Sequence, residues 1–114
     1  MINATFKITV SLEKRKELLQ TFTAILGLIR SEHGCISCNC YVDAETEINI
    51  FLVEEWKTRK DLDTHLSTRH FEVLCGAMKL LNEKPDIKFN SIITKPYNID
   101  KLNEVIKKVV LEGP

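Results

Sequence analysis

The chain has 114 residues, of which 44% are hydrophobic and 28% charged, a composition typical of a single globular domain. Its 16 Lys and Arg residues balance 16 Asp and Glu residues, so charge predicts neither nucleic-acid binding nor attachment to an anionic membrane. No apolar run approaches the ~20 residues of a membrane-spanning helix. The N-terminal residues lack the pattern of a signal peptide, so we expect a cytoplasmic protein whose four Cys are reduced thiols.

The first quarter of the chain predicts a strand followed by a helix. Apolar and polar residues alternate over 5–10, which indicates a half-buried strand. Apolar residues then recur at helical spacing from Leu18 to Ile29, and Ser11 is a suitable N-cap for that helix. Gly34 is placed to end the helix in the left-handed conformation.

Two further strands are predicted over 36–42 and 48–56, and the polar turn between them makes an antiparallel hairpin. Both faces of the second strand carry large apolar side chains: Ile50, Leu52 and Trp56 on one, Phe51 and Val53 on the other. We therefore expect both faces of the sheet to be covered, one of them by a partner subunit.

The remainder predicts a helix, a strand and a tail helix. Residues 58–82 have the pattern of a bent or broken helix, with a capping box of Thr58 and Asp61 and a second cap at Ser67. Alternation over 87–93 indicates a fourth strand.

The tail predicts an amphipathic helix over 99–111, capped by Asn98, whose apolar face packs on its own dimer. Docking of this helix on another partner is the alternative.

The element order βαββαβ, with short connections, predicts an α+β ferredoxin-like antiparallel sheet with both long helices on one face. A second sheet from an identical chain would cover the open face and give a two-fold homodimer, a dimeric α+β barrel. We expect the domain to span 1–97, with 98–114 as a C-terminal helical extension of the same domain.

The sole Trp lies where a strand runs directly into a helix carrying His65, and His70 and Phe71 follow closely. An aromatic plate near titratable imidazoles indicates a small enclosed pocket. The alternative is that Trp56 merely closes the core and both His side chains are solvated.

A set of short segments at fixed spacing carries a family resemblance. They are Glu32-His33-Gly34-Cys35-Ile36 before Tyr41 and Asp43, Phe51-Leu52-Val53-Glu54-Glu55-Trp56, Lys57-Thr58, Leu62 with His65, and Ser67 with His70-Phe71. This pattern resembles the antibiotic biosynthesis monooxygenase (ABM) domain of the dimeric α+β-barrel superfamily, over roughly residues 4–95.

The resemblance implies a monooxygenase that oxidises a small aromatic or quinol-type substrate with O₂ and uses no cofactor or metal. A deprotonated, electron-rich substrate reduces O₂ itself, so the protein has to remove a proton, orient the anion and exclude water. His65 would be the general base or the hydrogen-bond partner of a phenolic oxygen. Trp56 and Leu52 would line the pocket, and His70 and Phe71 would close its rim.

Other activities of the superfamily remain to be weighed. Leu52 stands where some polyketide monooxygenases carry Asn, which weakens a polyketide-type mechanism. In the haem-degrading branch, a Trp would occupy the position of His65 and a His ligand that of Cys75, so haem degradation is disfavoured. A non-catalytic ligand-binding or regulatory module is an alternative, as is an isomerase or cyclase on the same barrel.

Cys35, Cys38 and Cys40 follow His33 in a string that raises the question of a metal or redox site. Convergence on one ion needs all ligands within bonding distance, and the match to known ligand spacings is loose. Buried Cys also packs as a small apolar residue. We therefore predict neither a metal site nor a nucleotide site, since a phosphate-binding glycine-rich loop is also lacking.

Overall fold

A computed structural model of the chain describes residues 1–78, 81, 83–92 and 99–112, with the backbone alone for 99, 101, 102 and 112. The strands are β1 (Ile2–Thr9), β2 (Cys35–Val42), β3 (Asn49–Trp56) and β4 (Asp86–Ser91). The helices are α1 (Leu12–Arg30), α2 (Arg59–Leu66), α3 (Arg69–Met78) and α4 (Ile99–Glu112). No helix in these ranges is both long enough and apolar enough to cross a membrane.

The strands form one antiparallel sheet in the order β2-β3-β1-β4. On the central strand β1, Phe6 pairs with Leu52 of β3 and with Ile87 of β4. This order and the βαββαβ succession confirm the predicted ferredoxin-like α+β fold.

The core lies between one face of the sheet and helices α1–α3. Alternate residues of β1 and β3 point into it, and the alternation predicted from the sequence is confirmed. The buried apolar side chains are Ala4, Phe6, Ile8, Ile50, Leu52 and Trp56 from these strands, with Leu18, Phe22, Ile25, Leu26, Ile29, Leu62, Leu74 and Met78 from the helices.

The end of α1 differs from the prediction. The helix ends at Arg30, and Gly34 lies in the following turn rather than at the helix end. Gly34 has the predicted positive φ, +81°, and its carbonyl accepts the Lys57 N–H at 2.8 Å. A side chain here would also collide with Asp61, so glycine is required by both conformation and space. Ser11 stands at the N-cap of α1, but its side chain makes no capping hydrogen bond.

The predicted break in the second helical region separates α2 from α3. Thr58 caps α2 as expected, because its Oγ1 accepts the Asp61 N–H at 3.1 Å. The second cap is Thr68, whose Oγ1 accepts the Phe71 N–H at 3.3 Å. The prediction of Ser67 was wrong, because its hydroxyl instead donates to the Asp63 carbonyl at 3.1 Å, within the preceding helix.

The other face of the sheet carries apolar side chains that no helix of the described chain covers. Phe51 and Val53 are half-buried, and neighbouring Tyr41 is 53% exposed. The apolar residues Val105, Ile106 and Val109 of α4 are also at least 50% exposed. The predicted cap Asn98, the domain boundary at 97 and the end of the fourth strand at 93 lie outside the described residues.

Candidate functional site

The site begins with a carboxylate buried in the core. Glu54 and Trp56 are two residues apart on β3 and both point inward, and both are 0% exposed. The indole Nε1–H of Trp56 donates to Glu54 Oε1 at 3.0 Å. Burying a carboxylate is unfavourable without such partners, so the indole helps to hold this charge in place.

His65 of α2 is the second fully buried polar residue. Its ring stacks on Trp56 with centroids 4.5 Å apart and an interplanar angle of 27°. Its Nε2 lies 3.2 Å from Glu54 Oε2, and its Nδ1 lies 2.7 Å from Glu32 Oε2. Both ring nitrogens therefore face carboxylate oxygens.

Glu32 links this buried pair to the surface. It lies in the turn between α1 and β2, and this turn is held beside the end of β3 by the Lys57–Gly34 hydrogen bond. The oxygen that faces His65 also lies 2.7 Å from Nε2 of His70, in the first turn of α3. The side chains of Glu32 and His70 are 14% and 22% exposed. A continuous hydrogen-bonded path thus runs from Trp56 through Glu54, His65 and Glu32 to His70, which we call the relay.

Electrostatics favour the charged form of His65. Burial by itself lowers the pKa of the imidazole, but the hydrogen bonds and negative charges of Glu54 and then Glu32 outweigh burial, so the pKa is raised above 6.5. Only the imidazolium can donate from both nitrogens at once. The two carboxylates that flank His65 thus favour its imidazolium form.

Aromatic rings cover the relay. The Phe71 ring lies 5.2 Å from that of His65 in an edge-to-face arrangement, and Phe6 lies 6.2 Å beyond Phe71. Phe89 of β4 meets Phe6 edge-on at 6.5 Å. Water is therefore kept from one side of His65, which strengthens its charge interactions.

The structure brings together four of the residues singled out from the sequence: Trp56, His65, His70 and Phe71. Leu52 lies further into the core, 1% exposed. The alternative interpretation was that Trp56 closes the core and that both His side chains are solvated. Trp56 is fully buried in the single chain, as that interpretation predicted, but His65 is fully buried as well, so the second part is wrong for His65. Which of these residues touch a substrate stays a prediction.

Sequence reasoning missed the two carboxylates. Glu54 did carry a signal, because it is in phase with Leu52 and Trp56, and a charge on a buried strand face needs a partner. Glu32 belongs to the segments that carry the family resemblance, but its position in a turn gave no indication of a buried partner, since turns are commonly polar.

A groove with both apolar and polar lining lies between α2 and the strands β1 and β4, and one of its lining residues, Ile2, pairs with Trp56. Leu62 and Leu66, one helical turn apart, line it from the helix. The groove is lined by Ile2, Arg59, Leu62, Asp63, Leu66, Phe89, Asn90 and Ser91.

The cysteine string does not form a metal centre in the described part of the chain. The one group of three potential ligands whose donor atoms all lie within 4.8 Å of one another, among residues that the structure describes, is Glu32, His65 and His70. Cys38 is buried, and burial, followed by the negative charges of Glu54 and Glu32, raises the pKa of the Cys35 thiol to about 11. His33 instead lies 3.0 Å from Asp61 at the surface.

Comparison with known proteins places this geometry in a family context. Residues 1–75 match the family model described as antibiotic biosynthesis monooxygenase. An uncharacterised protein of Synechocystis, sll1783, is 34% identical over 93 residues, which are 81% of this chain and 58% of that protein. The chain therefore spans little more than half of the length of this relative.

Solved structures share the fold. A conserved protein of Methanosarcina mazei is 25% identical, with a TM-score of 0.77 over 81% of this chain and 92% of its own. A candidate antibiotic biosynthesis monooxygenase of Deinococcus radiodurans is 21% identical, with a TM-score of 0.79 over 85% of this chain and 97% of its own.

Proposed function

We propose that this chain, which belongs to the antibiotic biosynthesis monooxygenase family, oxidises a small aromatic or quinol-type substrate with O₂ and without a bound cofactor. The single observation that carries the proposal is the relay, which joins a buried acid–base group, His65, to a partly exposed edge at Glu32 and His70. A quinol that loses its proton to this relay becomes electron-rich enough to reduce O₂.

The overall reaction needs only the substrate and O₂. With a hydroquinone, one oxygen atom forms the new ring C–O bond and the other leaves as water, while the substrate supplies all the electrons. Two hydroxyl hydrogens and one ring hydrogen are divided between that water and the new hydroxyl group of the hydroxyquinone. The protein has to take up and return protons, and a hydrogen-bonded chain of carboxylate and imidazole groups can do both.

For the substrate ring we propose the groove beside α2. Leu62, Leu66 and Phe89 offer it an apolar surface, and Ile2, which also lines the groove, pairs with Trp56 in the sheet. Trp56 and Leu52 would then support the site from beneath. His70 and Phe71 would stand at its rim, as the family resemblance implies.

We further propose that the working form is a homodimer. The face of the sheet away from the helices carries Phe51 and Val53 half-buried, beside Tyr41. Apolar sheet faces are normally covered, and a second copy would complete a barrel.

Oxygen uptake by chelator-treated protein tests the proposed function, with a panel of hydroquinones and phenols as substrates. We expect uptake above the rate of uncatalysed autoxidation, reduced about 10²-fold or more by His70→Ala and by His65→Gln. His33→Ala is the matched control, because His33 is 93% exposed and lies outside the relay.

Three outcomes would contradict the proposal. Anaerobic turnover would mean an isomerase or cyclase, and saturable binding without oxygen uptake would mean a ligand-binding module. Equal oxygen uptake by the His33→Ala and His70→Ala variants would show that the relay takes no part in the reaction.

A further inference from the structure

We propose that Glu32, His65 and His70 form a binding site for one divalent transition-metal ion of the Zn²⁺ type. The inference goes beyond the proposed function, which uses the metal-free relay because an ion on these ring nitrogens would block proton transfer through them. It departs from the sequence-based expectation that the chain binds no metal. It rests on how three side chains from three separate elements converge on one point.

The three donor atoms already lie within 4.8 Å of one another. Nδ1 of His65 and Nε2 of His70 each lie 2.7 Å from the same oxygen, Oε2 of Glu32. Metal–nitrogen bonds of about 2.0–2.1 Å place tetrahedral ligands roughly 3.3 Å apart. An ion would need both nitrogen–oxygen distances to lengthen by roughly half an ångström, and Glu32 lies in a turn with its side chain partly exposed.

Glu54 orients the buried ligand for this role. Its Oε2 lies 3.2 Å from Nε2 of His65, and its Oε1 is fixed by the Trp56 indole at 3.0 Å. A carboxylate that accepts the Nε2–H leaves the lone pair on Nδ1, the atom that faces Glu32. Metal-binding histidines are commonly held by an outer carboxylate in this way.

The local charge also suits a divalent ion. Two carboxylates, Glu32 and Glu54, lie within hydrogen-bond distance of His65. One ion of charge +2 with two neutral imidazoles balances them. With the ion bound, the two carboxylates would have a full counter-charge, so this largely buried site would carry no net charge.

The donor set selects the class of ion. Two imidazoles and one carboxylate suit Zn²⁺, Fe²⁺, Co²⁺ and Ni²⁺, whereas Mg²⁺ and Ca²⁺ prefer oxygen ligands throughout. Three protein ligands leave at least one coordination position for water or another small ligand. His70, at 22% exposure, lies where such a ligand and the ion itself would enter.

Co²⁺ titration of chelator-treated full-length protein tests the site, because the visible absorption bands of Co²⁺ report its ligands. We expect one Co²⁺ per chain, displaced by Zn²⁺ but not by millimolar Mg²⁺. His70→Ala and Glu32→Gln should each weaken binding by at least 100-fold, and His33→Ala should leave it unchanged. Glu54→Gln should weaken it about 10–100-fold, as expected for an outer partner of a ligand.

The Co²⁺ titration does not depend on turnover, so failure of the oxygenase proposal would leave the metal-site inference intact. Circular dichroism of each variant confirms folding, and His70→Ala removes a partly exposed side chain. The inference is overturned by absence of binding at millimolar Co²⁺, or by equal binding in the folded His33 and His70 variants. Thiolate charge-transfer bands would likewise overturn it, since they would assign the ion to the cysteine string.

Discussion

The imidazole of His65 is stacked on the indole of Trp56 at 4.5 Å, and the same indole donates a hydrogen bond to the carboxylate that faces this imidazole. Trp56 therefore contacts His65 directly through its ring face and indirectly through Glu54. The flat aromatic surface attracts the imidazolium, while its N–H keeps the counter-charge in position. One apolar residue thus stabilises both members of a buried ion pair.

Removal of Glu54 should be strongly destabilising. Glu54→Ala leaves His65 fully buried with one nitrogen unpartnered, and breaking a buried ion pair costs about 3–5 kcal/mol. Glu55→Ala is the matched control, because Glu55 points to the opposite face of β3 and is not fully buried. Urea unfolding measures the stability of both variants, and similar midpoints would show that the buried pair of Glu54 and His65 adds nothing to stability.

The contrast between these two glutamates shows what the sequence could and could not reveal. Alternation along β3 predicted which face is buried, because strand periodicity depends only on neighbouring residues. It did not reveal the partner of Glu54, because His65 meets this carboxylate only after α2 is packed on the sheet. Glu32 reaches His65 only once the turn that follows α1 is in place. The helix break was likewise predictable from polar residues at 67–68, whereas the choice of Thr68 over Ser67 as cap depends on which hydroxyl faces the next helix.

Two glycines should respond oppositely to alanine. Gly34→Ala imposes a positive φ on a residue with a side chain and drives its Cβ into Asp61, a cost of about 1–2 kcal/mol from the backbone alone. Gly27→Ala lies inside α1, where an added Cβ meets nothing within 4 Å. It should stabilise the helix by about 0.5–1 kcal/mol. Thermal unfolding of the two variants tests this contrast, and a lower melting temperature for Gly27→Ala as well would contradict the structure around Gly27.

Asp61 should make stability sensitive to acid. Hydrogen bonds from His33 and then Thr58 hold the pKa of this carboxyl below its ordinary value of 3.8. A lowered folded-state pKa stabilises the protein above pH 3.8, and the benefit is lost as the pH falls through the folded value. The urea midpoints of the native protein and of Asp61→Asn should therefore differ at pH 6 and converge near pH 2. A difference in urea midpoint that stays the same at both pH values would contradict a lowered pKa of Asp61.

Cys35 should react slowly with thiol reagents. A pKa of about 11 leaves roughly a thousandth of this thiol ionised at pH 8, about a hundredfold less than in the unfolded chain. Alkylation followed by peptide mass mapping should find Cys35 protected in the native protein and labelled quickly in guanidinium chloride. Rapid native labelling would mean that β2 is more open than described.

The uncovered sheet face should decide the oligomeric state. Phe51 pairs with Tyr41 across β2 and β3, so an aspartate at 51 would place a charge in the middle of the proposed interface, where burial without a partner is costly. We expect light scattering to give twice the 13.1 kDa chain mass for the native protein and the single mass for Phe51→Asp. Thr23→Asp, on the exposed side of α1, should remain dimeric. A native monomer would overturn the barrel, whereas a dimer that tolerates Phe51→Asp would move the interface to another surface, with the exposed apolar residues of α4 the next to be tested.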